Sequence, residues 1–179
     1  IRDNLFVINA IANSSKKNTK EATDINVYDV IKCFDSLWAE DCINDLYDAG
    51  CRDNKLVLLY KGTQNANIAV KTSHGISDRQ SIQNIIMQGG VFGSIMCTTS
   101  MDKLAKEVYS RPELLYKYKE VADVPPLLMV DDILTISKCS PTASALNSTV
   151  NSFIESKKLK LSHKKCSVID VGKNTGRCP

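Results

Sequence analysis

After Asp3, apolar residues recur at helical spacing at Leu5, Ile8, Ile11 and Ala12, which predicts an N-terminal helix capped by that aspartate. The polar run over 13–21 reads as a loop. Ile25, Val27, Tyr28, Val30 and Ile31 form a run rich in β-branched side chains, the pattern of a strand. Trp38, Cys42 and Leu46 stand at i, i+4 and i+8 ahead of Gly50, so a helix is expected there that stops at the glycine. A short helix over 53–61, capped by Asp53, comes next. Two strands near 67–72 and 81–87 follow, joined at His74-Gly75. A long helix is expected from 91 to 110, closed by Pro112. The apolar runs 127–130 and 133–137 predict two strands meeting at Asp131-Asp132. Ser140-Pro141 is a cap and first-turn pair for a helix to 156, and 167–171 reads as a last strand. The order is helix–strand–helix–helix–strand–strand–helix–strand–strand–helix–strand, that of an α+β fold built on an antiparallel sheet.

Composition narrows the class. The chain has 179 residues, 43% hydrophobic and 24% charged, with 8 Gly and 5 Pro. That excludes the disordered, collagen-like and coiled-coil classes and fits one domain. Seven cysteines, an odd number without a CxxC pair, predict thiols in a reducing compartment, inside the cell in cytoplasm and nucleus. Ile1-Arg2-Asp3 places charges where a signal peptide needs its apolar core. Residues 80–101 carry no charge over a length that could span a bilayer. Gln80, Gln83, Asn84, Gln88 and the glycines at 89, 90 and 93 interrupt it, so no membrane segment is expected. The net charge of +3 is unevenly placed: from 156 onward seven Lys or Arg stand against Asp170 alone. A basic end on an acidic body suggests contact with a polyanion, with a solvated lysine face as the alternative.

Three features carry chemistry. Asp131-Asp132 lie between Leu-Leu-Met-Val and Ile-Leu-Thr-Ile, so a tight hairpin would present two carboxylates at its tip. Adjacent like charges raise each other's pKa unless a cation sits with them. Magnesium is the usual one, held by one or two carboxylates and substrate phosphates; Asp-Asp is also ordinary turn chemistry. Asp29 lies inside a strand pattern, where aspartate is disfavoured. A metal shared with Asp131 would satisfy it, and so would backbone hydrogen bonds. Gln88-Gly89-Gly90 opens a helix within the uncharged stretch, where glycine lets backbone N–H groups approach a ligand and a helix N-terminus favours phosphate; a structural turn is the plainer reading. His163-x-x-Cys166, with Cys178, offers zinc-type ligands but lacks an accompanying CxxC.

Taken in order, these segments resemble the reverse transcriptases, most closely those of non-LTR (LINE-like) retrotransposons. Asp29-Val-Ile-Lys-Cys-Phe34-Asp35-Ser-Leu-Trp38 is similar to motif A of that family. Gln88-Gly89-Gly90-Val91-Phe92-Gly93-Ser94 is similar to motif B. Met129-Val130-Asp131-Asp132 looks like the motif C box, commonly Tyr-Ala-Asp-Asp. The helix to 156, with Lys157-Lys158-Leu-Lys160 through Lys164-Lys165-Cys166, resembles motif D, and Arg2-Asp3-Asn4-Leu5-Phe6-Val7 the helix before motif A. Met129, Val130 and Ser94 stand where the family usually has Tyr, Ala and Pro.

The resemblance implies a polymerase palm over 1–179, an antiparallel sheet packed on helices. Partial fingers elements would lie at about 1–24 and 53–87, with no thumb, in a fragment of a longer polyprotein. It implies RNA-directed DNA synthesis from an RNA template, a DNA primer and dNTPs, with two Mg2+ ions or Mn2+ in their place. Asp29 and Asp131, with the Val30 backbone, would hold the metals, and Asp132 would stand beside them as a catalytic carboxylate. Phe34 would exclude a ribose 2′-hydroxyl, and Gln88 and Gly89 would line the nucleotide. Lys164 or Lys165 would approach the phosphates, Lys157, Lys158 and Lys160 would meet nucleic acid, and Asp35 would be structural. Two other readings stand beside this one. The first is a non-catalytic nucleic-acid-binding remnant of a retroelement, dependent on its lysines and on salt. The second is an RNA-directed RNA polymerase palm, against which Phe34 argues.

Overall fold

The computed structural model describes residues 2–17, 23–63, 66–82, 86, 92–138 and 140–171. In chain order it forms α1 (Arg2–Lys17), β1 (Thr23–Asp29), α2 (Cys33–Ser36), α3 (Ala39–Asp48) and α4 (Asp53–Thr63). A ribbon follows, of β2 (Ala66–Ile68), β3 (Lys71–Thr72), β4 (Gly75–Ile76) and β5 (Gln80–Ile82), and then α5 (Gly93–Tyr109). The rest is β6 (Tyr116–Tyr118), β7 (Ala122–Val124), β8 (Leu127–Met129), β9 (Asp132–Ser137), α6 (Ser140–Ser156) and β10 (Ser167–Val171). The chain divides into two compact units, Ile1–Ile31 with Met101–Pro179, and Lys32–Ser100.

The first unit is built on an antiparallel sheet in the order β10-β1-β9-β8. β1 lies inside it and buries both faces, which is why its pattern is nearly continuous rather than alternating. Ile25 joins Ile11 of α1, Ile136 and Val171 in one core cluster with Tyr116. On the opposite face Tyr28 donates from Oη to Asn147 Oδ1 of α6 at 2.5 Å, and Asn26 Nδ2 donates to Thr135 Oγ1 at 3.4 Å. α6 buries Leu146, Val150, Phe153 and Ile154, the i, i+4, i+7, i+8 stripe of a helix laid on a sheet.

Several expectations are corrected here. The polar run after residue 12 is not all loop, since α1 continues to Lys17. Ser15 is buried with its hydroxyl 2.8 Å from Thr23 Oγ1, and Lys16 and Lys17 favour the negative end of the helix dipole. β1 ends at Asp29, so that aspartate closes the strand rather than lying within it; Val30 makes only an isolated bridge to Leu161, and Ile31 is in a turn. The β8–β9 register pairs Met129 with Asp132, so the turn is Val130-Asp131 and Asp132 already belongs to β9. The β6–β7 hairpin was not anticipated. Its turn places Lys119 and Glu120 at φ 50 and 55, left-handed positions that normally advertise themselves by glycine or asparagine.

In the second unit, Cys33, Leu37, Cys42, Leu46, Met96 and Cys97 are buried. Ser100 donates from Oγ to Asp45 Oδ2 at 2.5 Å, which pairs a carboxylate that is only 3% exposed. Trp38 stands outside α3 at 39% exposure instead of joining the stripe with Cys42 and Leu46. Asp53 opens α4 with a left-handed φ of 62, and that helix runs past 61 to Thr63. The ribbon pairs β2 with β5 and β3 with β4 around a turn at Ser73-His74.

Candidate active site

Antiparallel pairing gathers the carboxylates at one end of the sheet. Asp29 is the last residue of β1, Asp132 the first of β9, and the register makes them direct partners. Facing residues in such a ladder have Cα atoms about 4.5–5.5 Å apart. Asp131 precedes Asp132 in the hairpin turn. That turn bends at Val130 with φ 60, a conformation that costs a β-branched residue on the order of 1–3 kcal/mol and persists only when its surroundings impose it.

The segment after α6 completes the site through backbone bonds. Lys158 N–H donates to the Glu155 carbonyl and Leu159 N–H to that of Ile154, both at 2.9 Å. This is a Schellman closure, with Lys158 at φ 57 where glycine is usual. Leu159 is buried, and the chain then runs beside the end of β1. Ile31 N–H donates to the Lys160 carbonyl, and Ser162 N–H to that of Asp29, each at 2.8 Å. Lys165 and Cys166 N–H both donate to the Ser162 carbonyl, at 2.8 and 2.9 Å. That turn holds Lys165 Nζ 3.3 Å from Asp29 Oδ1 and 3.3 Å from Oδ2.

Electrostatics follow from this crowding. Burial raises the Asp132 carboxyl above its ordinary value, Asp131 and then Asp29 push it the same way, and Lys165 opposes them. The site therefore carries more negative charge than Lys165 balances.

Of the residues singled out from sequence, Asp29, Asp131, Asp132 and Lys165 come together. Lys165, and not Lys164, reaches Asp29; Lys164 is exposed. Val30 has a buried side chain, and its backbone takes part in the bridge to Leu161. Lys157 is half-buried, and Lys158 and Lys160 are exposed, on the stretch that follows α6. Phe34 is half-buried and Asp35 exposed, both on α2 in the second unit. Gln88 and Gly89 lie outside the described residues. Sequence reading missed Ser162, because its contribution is a backbone bond that no residue type announces. It also missed a cavity of about 300 Å3 beside Asp132, walled by Leu5 and Ile8 of α1 and by Val27, Leu127 and Met129. The helical stripe of α1 was the available signal for that cavity.

Among the described residues no group of three or more His, Cys, Asp or Glu side chains forms a metal cage. Magnesium does not need one, since it keeps waters and takes one or two carboxylates with substrate phosphates. The all-oxygen donor set and the upward push on Asp132 fit a hard cation there.

Residues 1–175 match the family model for reverse transcriptase (RNA-dependent DNA polymerase). The chain belongs to the reverse transcriptases. No curated protein matches it. Among solved structures, this reverse transcriptase domain is similar to apo telomerase from Candida tropicalis, with TM-score 0.70 and 16% identity over 98% of the chain and 33% of the telomerase. Telomerase from the same yeast bound to a TWJ fragment of telomeric RNA gives TM-score 0.67 and 15% identity, over 94% and 29%. The corresponding Candida albicans complex gives 0.66 and 15%, over 99% and 31%. At such identities the likeness is one of fold, and it supports the α+β palm architecture. The domain spans about a third of those telomerase chains.

Proposed function

We propose that this domain is the catalytic palm of a non-LTR, LINE-like retroelement polymerase that extends a DNA primer on an RNA template with dNTPs. In this reading it works as one part of a longer polyprotein, in cytoplasm and nucleus. The observation that carries it is the meeting of Asp29, Asp131 and Asp132 at one end of the sheet. Asp29 and Asp131, with the Val30 backbone, would hold two Mg2+ ions, or Mn2+ in their place. When bound, such ions neutralise charge on the attacking and leaving oxygens of an in-line displacement. The chain itself supplies position. The β1–β9 ladder fixes Asp29 against Asp132, and the bonds from Ser162 fix the lysine turn, so the carboxylates need little rearrangement on binding. The basic stretch Lys157, Lys158, Lys160 and Lys164 engages phosphates, Gln88 and Gly89 line the nucleotide, and Phe34 sets the choice of sugar.

Primer extension on an RNA template, by a protein that contains this domain, tests the reading. Asp131→Asn is expected to abolish extension, and intact extension would refute the metal assignment. Phe34→Ala is expected to admit ribonucleotides; an unchanged sugar preference would favour an RNA-synthesising palm. Salt-dependent RNA binding by the wild type without metal-dependent extension would identify a binding remnant instead.

A further inference from the structure

We propose that Lys165 is a resident cation on Asp29 that a divalent ion must displace, so that this lysine sets the metal concentration at which the site fills. The inference rests on the metal-site reading above. Lys165 Nζ stands 3.3 Å from both carboxylate oxygens of Asp29, the atoms an incoming ion would coordinate. The contact is held from the backbone, since Ser162 N–H bonds to the Asp29 carbonyl and the Ser162 carbonyl receives Lys165 N–H. The two partners differ in freedom. The Lys165 side chain is 69% exposed and can swing into water, whereas that of Asp29 is 29% exposed at the end of an interior strand. The lysine leaves, and the carboxylate stays.

Lys164, one residue earlier, is also exposed and carries the same charge without that contact, so it serves as a charge control. Mn2+ binding by the whole 179-residue chain, read from the electron-spin signal of unbound Mn2+, separates the two. An exposed pair contributes up to about 1 kcal/mol, and this one engages both oxygens of a carboxylate that is only 29% exposed, so Lys165→Met is expected to tighten Mn2+ about three- to fivefold. Lys164→Met should tighten it less than about 1.5-fold, because it removes only a screened charge. In the wild type, Mn2+ should also speed reductive methylation of the Lys165 amine, measured by peptide mass spectrometry, and leave that of Lys164 unchanged. Equal tightening in both variants, or methylation of Lys165 indifferent to Mn2+, overturns the proposal. Asp29→Asn separates its failure from that of the underlying reading. Undiminished Mn2+ binding in that variant defeats the metal site itself. Binding lost there but unmoved by Lys165→Met defeats only the role of the lysine.

Discussion

Strand β1 carries an aspartate near each end, and each faces a second aspartate across the ladder. Asp29 is opposite Asp132 on β9, and Asp24 is opposite Asp170 on β10. By residue type the two pairs are the same. Their surroundings are not. At the Asp29 end a third carboxylate, Asp131, adjoins the pair and Lys165 reaches in to 3.3 Å. At the Asp24 end the carboxyl of Asp24 is raised by burial first, and then by a hydrogen bond and the charge of Asp170, with no cation among the causes. A facing pair of carboxylates is therefore not a site by itself. One pair is organised around a position for positive charge; the other has no such position, and its Asp24 carboxyl holds a proton more tightly than an ordinary one.

The largest expected difference between the two ends is catalytic. In a protein that contains this domain, Asp29→Asn should lower primer extension on the order of 10³-fold, comparable to or beyond the loss of one preorganised electrostatic contact. Asp24→Asn should leave it unchanged. Equal losses from the two substitutions would mean that the aspartates act through the sheet and not through a metal.

Metal binding sharpens the same contrast at smaller amplitude. Mn2+ at ten times its dissociation constant should stabilise the folded chain by about 1.4 kcal/mol, a rise of roughly 3–6 °C in Tm for a domain of this size. The rise should vanish in Asp29→Asn and persist in Asp24→Asn. Persistence in both would place the ion elsewhere.

How much of this was legible in the sequence depends on how local each signal is. α6 and β10 fall where the sequence puts them, over 140–156 and 167–171, because a Ser-Pro start and a short β-branched run are complete signals. The hairpin of β6 and β7 was illegible because Lys119 and Glu120 take left-handed turn positions without the residues that usually mark them. Asp29 and Asp131 stood out as carboxylates interrupting apolar runs. Their meeting at a shared metal was expected, but the register that pairs Asp29 with Asp132 was not legible, since it depends on where the β8–β9 turn falls. Val130 at φ 60 moves that turn one residue ahead of the Asp-Asp pair. The choice of Lys165 over Lys164 was equally hidden, because it is made by backbone bonds around Ser162.

A third member of the Asp24 row offers a smaller test. Ser137 on β9 is the other register partner of Asp24. It is 1% exposed, and its Oγ has no hydrogen-bond partner among the described residues. A buried hydroxyl left unpaired costs on the order of 1–3 kcal/mol, partly offset here by the poorer strand propensity of alanine. Ser137→Ala should therefore stabilise the fold by about 1 kcal/mol in urea denaturation. Destabilisation would show that the hydroxyl serves Asp24 in solution, and the far pair would then be less bare than its register suggests.

Asp170→Asn probes the far pair with the smallest effect and a definite sign. The Asp24 carboxyl is raised in the folded state, so the native protein holds that proton more tightly than the unfolded chain does. The stability associated with protonated Asp24 is fully present below the unfolded value of 3.8 and is lost as pH rises through the raised one. The two carboxyl groups face each other across the ladder, and the asparagine removes the repulsion between their charged forms. The variant should then be more stable than wild type by about 0.5 kcal/mol, the scale of an exposed cross-strand charge pair. The gain should shrink as pH falls toward 3.8, and it should weaken at about 1 M salt, where screening reaches only ~3 Å. Asp132→Asn supplies the matching measurement at the other end. There Asp131 and Asp29 both repel the Asp132 carboxyl and Lys165 offsets only part of it, so Asp132→Asn should also stabilise at pH 7, and by more when Lys165→Met is present as well. A gain from Asp132→Asn that Lys165→Met leaves unchanged would mean that Lys165 does not neutralise its pair in solution, and the contrast between the ends of β1 would fail.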